Sequence, residues 1–357
     1  MNNKLTSNKA EISSLTFFRF LTAFIVFLFH CKIHLNFSTN IKFIDKFINN
    51  GAVFMTGFFV LSGYIMCYVY KNKDFSKRNE VLNFYLKRFA KIYPTYFLGS
   101  ILYFSLIQPN TPYTSEEWIR IIINDIFLLQ AIFPKMFHLG INGGTWSISV
   151  EAFFYLLFPL IILIYSKKPI KLIFLGFLMA IIVNINVISD SESKGYYYSN
   201  AFMRLNEFFI GIGFYLLTSN NKLDKLPFIL KSPFFIFLVI FCLTTLKQSE
   251  AIYSYMGLNI VIAPLFGLLL FSLSINNNSF VFNNRYTNYL GKISYSFYIW
   301  QFIAIEFGRG LIKLDINNWL IIIIVFMLNI LIASISYFLV EEKFRKIIIN
   351  RFSNYSN

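Results

Sequence analysis

Long apolar runs, separated by short polar or basic stretches, recur along the whole chain. Most are roughly 17 to 23 residues long, the length that an α-helix needs to cross a bilayer. Hydropathy read with a span-length window predicts ten such helices, near residues 15–35, 51–70, 90–108, 149–166, 170–188, 201–218, 233–247, 255–274, 289–308 and 318–340. The sequence lacks the sustained ten-residue alternation of a membrane β-barrel. The pattern therefore predicts an all-α integral membrane protein with about ten transmembrane helices.

The basic residues of the loops predict how these helices are oriented. The loop 71–91 holds seven Lys and Arg residues, and the segments 167–171, 222–231 and 343–351 hold more. The loops on the other side are poorer in Lys and Arg; they are 36–50, 109–146, 189–200 and 309–317. Because cytoplasmic loops are enriched in basic residues, we expect both termini in the cytoplasm.

One further apolar segment, 118–133, does not fit this alternation. It carries Arg120, Asn124 and Asp125, and counting it as a span would place the basic tail outside the cell. We therefore interpret it as an interfacial or re-entrant helix.

Composition supports the membrane assignment and narrows the function. Of the 357 residues, 57% are hydrophobic and only 14% are charged, which is outside the range of soluble globular domains. The net charge of +15 is scattered over the loops, so it does not indicate nucleic-acid binding. The three cysteines lie in separate apolar runs without CxxC spacing, so we expect buried thiols and no metal site. Because only 17 residues follow the last span, residues 1–357 are expected to form one membrane domain without an appended soluble domain.

The first predicted span contains two polar side chains, Arg19 and His30. They are eleven residues apart, which is three helical turns plus about 20°, so both lie on one face with roughly 16 Å between them. A charge inside a span is costly and is usually paired or functional. The alternative is that Arg19 reaches the headgroups and His30 is a hydrogen-bonded core residue. His34, one turn after His30, could complete a metal pair, but an ordinary polar role at the interface accounts for it better.

Further charged positions stand at the ends of other predicted spans. Lys87, Arg88 and Lys91 form a basic cluster before Pro94, suited either to anionic lipid or to the phosphates of a soluble nucleotide cofactor. The residues leave this choice open. Arg204 and Glu207 are spaced i, i+3 and are expected to neutralise each other, and Glu306 is expected at the interface.

An outer loop with three glycines, Gly140, Gly143 and Gly144, leads into the fourth predicted span. Trp146 at its end is typical of a membrane-interface anchor. Glu151 follows within the first turns of the span, and we expect it to face a polar cavity, where it can stay charged.

Taken together, seven short blocks in this order resemble the membrane acyltransferase type 3 family. The resemblance covers nearly the whole chain. The blocks are Arg19 with His30, FFVLSGYI (58–65), KRFAKIYP (87–94), TWSISVEAFFYLLFPL (145–160), RLNEFFIGIG (204–213), LGKISYSFYIW (291–300) and VEEKFRK (340–346).

The resemblance implies transfer of an acyl group, usually acetyl, from cytoplasmic acyl-CoA to a sugar hydroxyl. The acceptor would be a lipid-linked or cell-surface polysaccharide, and the enzyme would lie in the bacterial inner membrane among its lipids. The family's essential Arg and His correspond to Arg19 and His30, and its paired basic motif to Arg88 and Lys91. The remaining motif positions are expected to be acceptor-side or structural; they are Trp146, Ser147, Ser62, Gly63, Arg204, Glu207, Ser294 and Tyr295.

The chain departs from the family pattern at three positions. Thr56 replaces an acidic residue, Lys91 replaces a frequent Arg, and Gln301 replaces a frequent His. Lys91 keeps the charge but loses bidentate phosphate geometry. Because Gln301 is not a proton acceptor of the same kind, we assign it no catalytic role.

The resemblance leads to a specific expectation for the mechanism. Arg19, Arg88 and Lys91 would hold acyl-CoA at the cytoplasmic end of a hydrated channel that also reaches His30. His30 would act as general base or as nucleophile, with Glu151 orienting the imidazole where the fold brings the two together. The competing interpretations are a polysaccharide or lipid transporter and a non-catalytic scaffold for glycan assembly.

Overall fold

A computed structural model gives the fold of the chain over residues 12–107, 113–133, 141–189, 194–246, 258–277, 279, 281–282, 284–314 and 316–353. Within these residues the regular structure is helical, without strands. The α-helices are α1 (Ser13–Leu35), α2 (Lys42–Asn49), α3 (Phe54–Tyr70), α4 (Arg78–Ile107), α5 (Ser115–Ile126), α6 (Trp146–Tyr165), α7 (Pro169–Ser189), α8 (Lys194–Ser199), α9 (Ala201–Ser219), α10 (Pro233–Leu246), α11 (Asn259–Ile275), α12 (Arg285–Ile312), α13 (Asn318–Ser336) and α14 (Lys343–Ser353). Two 3₁₀ turns, Gly51–Val53 and Phe228–Lys231, precede α3 and α10, and a π-helical segment, Tyr337–Glu342, joins α13 to α14.

Each of the ten apolar runs is helical over the part that the structure describes. The largest difference is in α4, which begins at Arg78, well before the predicted start near residue 90, and continues through Pro94. Among the described residues, five helical segments are long and apolar enough to cross a membrane: Ser13–Leu35, Gly51–Tyr70, Trp146–Tyr165, Pro169–Asn186 and Asn318–Phe352. The chain is therefore a multi-pass membrane protein.

The segment predicted to be interfacial or re-entrant contains a single short helix, α5. Thr114 starts it with a capping box: its hydroxyl accepts from the backbone N–H of Glu117, and the Glu117 carboxylate accepts from the backbone N–H of Thr114. The helix has 12 residues and ends before Leu128, whose φ of 56° turns the chain. Twelve residues rise only about 18 Å, which is too short to cross the hydrocarbon core.

Contacts between distant residues give the relative directions of the helices. Thr16 packs on Gly291, His30 contacts Gln301 and His34 contacts Arg309, so α1 and α12 run parallel. By the same test α3 and α9 are parallel, since Thr56 meets Glu207 and Tyr64 meets Thr218. In contrast, α12 and α13 are antiparallel, with Tyr289 bonded to Ser334 and Gly308 packed on Val325.

The parallel helices α3 and α9 pack closely because a glycine of each helix faces the backbone of the other. A Cβ atom at Gly63 would overlap the carbonyl oxygen of Phe208, and one at Gly211 would overlap that of Val60. Small residues at such crossings are the usual device of membrane helix packing. Gly63 of the FFVLSGYI block therefore has a structural role.

A buried ion pair lies beside this crossing, as its i, i+3 spacing predicted. Arg204 Nη1 donates to Glu207 Oε1 over 2.5 Å, and both side chains are fully buried. The same carboxylate oxygen accepts from Thr56 and Asn259, at 2.8 and 2.7 Å. The guanidinium faces the rings of Phe59, Trp146 and Tyr198. These contacts tie α9 to α3, α11 and the start of α6, so Trp146 is a core residue of this cluster.

The prediction that the cysteines are buried thiols is confirmed for two of the three. Cys31 and Cys67 are buried free thiols, whereas Cys242 lies exposed on α10.

Candidate active site

A cavity of about 100 Å³ lies among α1, α3, α4, α6 and α12. A water molecule needs roughly 10–15 Å³ of such space, so the cavity has room for several waters or for part of a ligand. Residues from five separate blocks of the sequence line it. The predicted site residues among them are Arg19, Ser62, Arg88, Lys91, Ser147, Glu151 and Tyr295.

Arg88 is a cation in this cavity that makes no contact ion pair with a carboxylate of the described residues. Its guanidinium stands over the rings of Tyr70 and Tyr155, at 5.2 and 5.9 Å from their centroids, and Nη1 contacts the sulfur of Met66. Its buried Nε–H has no hydrogen-bond partner, and no carboxylate of the described residues lies within 4 Å of the guanidinium. Its neighbour Lys87 is exposed and does not line the cavity.

Lys91, one turn further along α4, has a partner that the sequence reading did not assign. Its ammonium group pairs with Glu341, whose side chain is fully buried in the π-helical segment. The second oxygen of Glu341 accepts from Ser296 Oγ over 3.0 Å. Glu341 lies in the VEEKFRK block, but nothing in the sequence linked it to Lys91, which stands 250 positions earlier.

Glu151 faces the cavity, as predicted for a carboxylate at the start of this span. Its carboxylate accepts a hydrogen bond of 3.1 Å from Tyr155, one turn further along α6. Arg19, Arg88 and Lys91 all interact with it electrostatically. Three cations and the Glu151 carboxylate therefore line the cavity, and Glu341, which is not among the lining residues, is bonded to Lys91.

His30 is not among the residues that line this cavity, and no hydrogen bond joins it to Glu151 in the described structure. The channel expected to connect Arg19 with His30 stays a prediction. The Nδ1–H of His30 instead donates to Gln301 Oε1 over 3.0 Å. The Gln301 amide is itself fixed, because its Nε2–H donates to the carbonyl of Tyr298 over 2.9 Å. Nε2 of His30 therefore carries the free lone pair.

The contact with Gln301 corrects the sequence-based view of this position. Gln301, which received no role, is fully buried and holds one tautomer of His30. An amide oxygen can accept from Nδ1–H but does not take the proton, so it orients the ring without competing as a base.

One turn of α12, from Tyr298 to Phe302, contacts the cavity at one end and His30 at the other. Tyr298 lines the cavity; its hydroxyl donates to the carbonyl of Gly144 and accepts from Ser147 Oγ, at 2.9 and 2.8 Å. Phe302 packs its ring 4.6 Å from that of His30, and a Cβ atom at Gly144 would lie 2.7 Å from the Phe302 ring. The glycine loop thus lets this turn pack tightly. Gly140 of the same loop lies outside the described residues.

The remaining motif residues position the helices around the cavity. The Tyr295 hydroxyl donates to the carbonyl of Ile92 over 2.6 Å and links α12 to α4 beside Lys91. Ser294 is buried and donates to the carbonyl of Gly291 in its own helix over 2.7 Å. Neither contact needs a ligand.

The contacts of His34 and His30 do not indicate a metal site shared by the two side chains. Its Nδ1 contacts Arg309 Nη2 over 2.8 Å, while Nδ1 of His30 is bonded to Gln301. Across the described ranges, no three His, Cys, Asp or Glu side chains are grouped so that they could hold a metal ion.

Sequence comparison agrees with this arrangement of blocks. A family model described as an acyltransferase domain matches residues 12–338. The chain belongs to the acyltransferase type 3 family. No solved structure matches it.

Alignments to two relatives show how much of this acyltransferase-family chain is similar to each of them. It is 25% identical over 336 residues to the O-acetyltransferase OatA of Staphylococcus aureus, an alignment that covers 84% of this chain and 54% of OatA. It is 33% identical over 126 residues to the acyltransferase MdmB of Streptomyces mycarofaciens, covering 34% of this chain and 31% of MdmB. The chain thus spans about half the length of OatA and a third of that of MdmB.

Proposed function

We propose that this chain is an O-acyltransferase that moves an acyl group from cytoplasmic acyl-CoA to a sugar hydroxyl of a cell-surface or lipid-linked polysaccharide. The observation that carries the proposal is the Arg88 guanidinium, whose buried Nε–H has no hydrogen-bond partner, in a cavity that Arg19 and Lys91 also line. Acetyl is the acyl group we favour, since one relative is named an O-acetyltransferase.

The cavity suits the anionic donor. An arginine with a buried, unpaired N–H is a strong binding group for phosphate, because its planar fork donates two parallel hydrogen bonds to oxygen atoms. Lys91 adds a point charge at the same cavity, although Glu341 shares it. We assign Arg19, Arg88 and Lys91 to acyl-CoA binding and Glu151 to the polar lining that keeps the cavity hydrated.

The topology we propose has ten spans, with both termini in the cytoplasm of a bacterial inner membrane. Under that numbering α1 and α12 are spans 1 and 9, and α3 and α9 are spans 2 and 6, so each pair must run parallel. The observed directions support this alternation. An additional span at 118–133 would make α1 and α12 antiparallel.

His30 is the group we assign to the chemistry. In a direct transfer, its Nε2 removes the proton of the sugar hydroxyl while the oxygen attacks the thioester carbonyl. The C–S bond then breaks, and the CoA thiolate takes the proton back from the imidazolium. In the covalent route, Nε2 attacks the thioester carbonyl and the C–S bond breaks, releasing the CoA thiolate. The sugar oxygen then attacks the acyl-imidazole, the C–N bond breaks to restore the imidazole, and the hydroxyl proton passes to the thiolate.

The thioester must pass Tyr298 to reach His30. Rotation of the Tyr298 side chain breaks its hydrogen bonds to Ser147 and Gly144 and leaves the backbone of α12 in place. We therefore assign Ser147 and the glycine loop to the gate between the donor cavity and the imidazole.

The experiment uses the purified full chain in lipid nanodiscs with acyl-labelled CoA and a glycan acceptor. Wild-type protein should release CoA and label the acceptor, and His30→Ala should lose transfer while still binding acyl-CoA. Asp224→Asn, an exposed position outside the cavity, serves as the control and should keep transfer. A transporter or scaffold would leave acyl-CoA intact, and full activity of His30→Ala would remove the imidazole from the mechanism.

A further inference from the structure

A second polar group lies where α1 and α12 end, one helical turn beyond His30. It consists of His34, Glu306 and Arg309, here called the Arg309 cluster. Arg309 Nη1 donates to Glu306 Oε1 over 2.6 Å, and Nη2 donates to His34 Nδ1 over 2.8 Å. The Arg309 side chain is 45% exposed and that of Glu306 24% exposed, so a ligand can reach both.

These hydrogen bonds determine which donors and acceptors the Arg309 cluster can present to a ligand. An arginine only donates, so Nδ1 of His34 is an acceptor and the neutral imidazole carries its proton on Nε2. The guanidinium keeps further N–H groups, and Glu306 keeps its second carboxylate oxygen. Donors and an acceptor are thus presented side by side, while the charges of Arg309 and Glu306 cancel.

The position of the cluster relates it to His30. The ring centroids of His30 and His34 are 6.2 Å apart. Phe302 packs against both rings, at 4.6 and 5.8 Å. Phe302 is buried and holds the two imidazoles in place, so the polar groups of the Arg309 cluster are what a hydroxyl-bearing ligand would contact.

We infer that the Arg309 cluster binds the uncharged, hydroxyl-bearing sugar of the acceptor and presents one hydroxyl to Nε2 of His30. This inference rests on the function proposed above and assigns the acceptor side of the same site. The cancelled charge favours a neutral sugar, because the Glu306 carboxylate repels a ligand that carries its own carboxylate or phosphate. An exposed i, i+3 ion pair contributes little to stability, so the fold does not require this cluster.

The test measures sugar binding separately from acyl transfer. The probes are methyl glucoside, methyl galactoside and methyl N-acetylglucosaminide, with methyl glucuronide as the charged comparison. Binding to the full chain in nanodiscs is followed by saturation-transfer NMR, and acyl-CoA binding is measured on the same samples. The variants are Arg309→Lys, which keeps the charge and loses the fork, and Glu306→Gln. Arg285→Lys, an exposed arginine at the opposite end of α12, is the control.

Wild-type protein and Arg285→Lys should bind at least one neutral glycoside more tightly than methyl glucuronide. Arg309→Lys and Glu306→Gln should weaken that binding about tenfold or more, as loss of a charged hydrogen bond does, with acyl-CoA affinity unchanged. The inference is overturned if no neutral glycoside binds, if both variants bind like the wild type, or if the glucuronide binds best. Glycoside binding that depends on Arg309 without any consumption of acyl-CoA would refute the acyltransferase proposal and leave the sugar site standing.

Discussion

His30 and Gln301 form a 3.0 Å hydrogen bond between neighbouring parallel helices, with Nδ1–H of the imidazole donating to the amide oxygen. The bond leaves Nε2 as the basic atom and holds the ring against Phe302. A position that the family resemblance marked as a departure is therefore the one that orients the proposed catalytic imidazole.

Loss of that orientation should affect the chemical step more than binding. We expect Gln301→Ala to lower kcat for acyl transfer about 100-fold, the lower end of what general acid–base catalysis contributes, with little change in acyl-CoA affinity. Gln301→His should retain more activity, because a neutral imidazole can also accept from Nδ1–H. Single-turnover kinetics on nanodisc samples measure both effects, and equal kcat for Gln301→Ala and wild type would remove the tautomer argument.

The proposed role of Arg88 in the cavity can be tested by comparison with its exposed neighbour Lys87. Arg88→Ala should weaken acyl-CoA binding about 10- to 100-fold, since a hydrogen bond to a charged group contributes roughly 1.5–3 kcal/mol. Arg88→Lys should recover only part of this loss because the fork is gone. Lys87→Ala, which removes a cation outside the cavity, should bind acyl-CoA normally in the same titration. Equal losses at both positions would indicate a general effect of surface charge.

Breaking the buried ion pair of Arg204 and Glu207 should lower the free energy of unfolding. Arg204→Met leaves a buried carboxylate without its cation and should destabilise the protein by about 3–5 kcal/mol. The double variant Arg204→Met with Glu207→Gln should lose less, because it leaves no unpaired charge. Thermal unfolding in detergent measures the difference. A double variant less stable than Arg204→Met would contradict this account.

Close approach of α3 and α9 should make Gly211 intolerant of a side chain. Gly211→Ala forces a methyl group against the Val60 carbonyl and should cost about 1–3 kcal/mol. Gly143→Ala is the matched control, since a Cβ there meets nothing within 4 Å. Unfolding midpoints of the two variants give the comparison, and unchanged stability of Gly211→Ala would mean that the helices are further apart.

Asp125, in the short helix α5, should give the protein a pH-dependent stability. Burial raises the pKa of this carboxyl to about 6, although hydrogen bonds from the Ile141 N–H and from Tyr96 oppose the rise. The folded state then binds the proton more tightly than the unfolded chain does. Stability should therefore fall by about 3 kcal/mol as pH rises from about 4 to 6, and should level off above that range.

The measurement is the unfolding midpoint between pH 4 and 8. Asp125→Asn should abolish this slope, because an amide does not titrate in that range. Asp224→Asn, an exposed position, should keep it. A slope that survives in Asp125→Asn would have to come from another group.

The helices and several residues that line the cavity could be predicted because they depend on local pattern. Apolar runs of span length gave the helices, and the periodicity of α1 placed Arg19 and His30 on one face; in the structure one lines a cavity with α12 residues and the other is bonded to α12. The i, i+3 spacing likewise predicted the pair of Arg204 and Glu207.

The rest depends on contacts between residues far apart in sequence. Spacing within α1 could not show that Tyr298 lines the cavity beside Arg19, nor that Gln301 meets the imidazole. The same holds for Lys91 and Glu341, which only the packing of α4 against the π-helical segment brings together. Periodicity fixes which way a side chain points but not what fills the space in front of it.

The turn of α12 from Tyr298 to Phe302 touches both parts of the proposed site. Tyr298, bridged to Gly144 and Ser147, lines the cavity, and Phe302 packs against His30. A displacement of this one turn would therefore alter the cavity wall and the surroundings of the imidazole together.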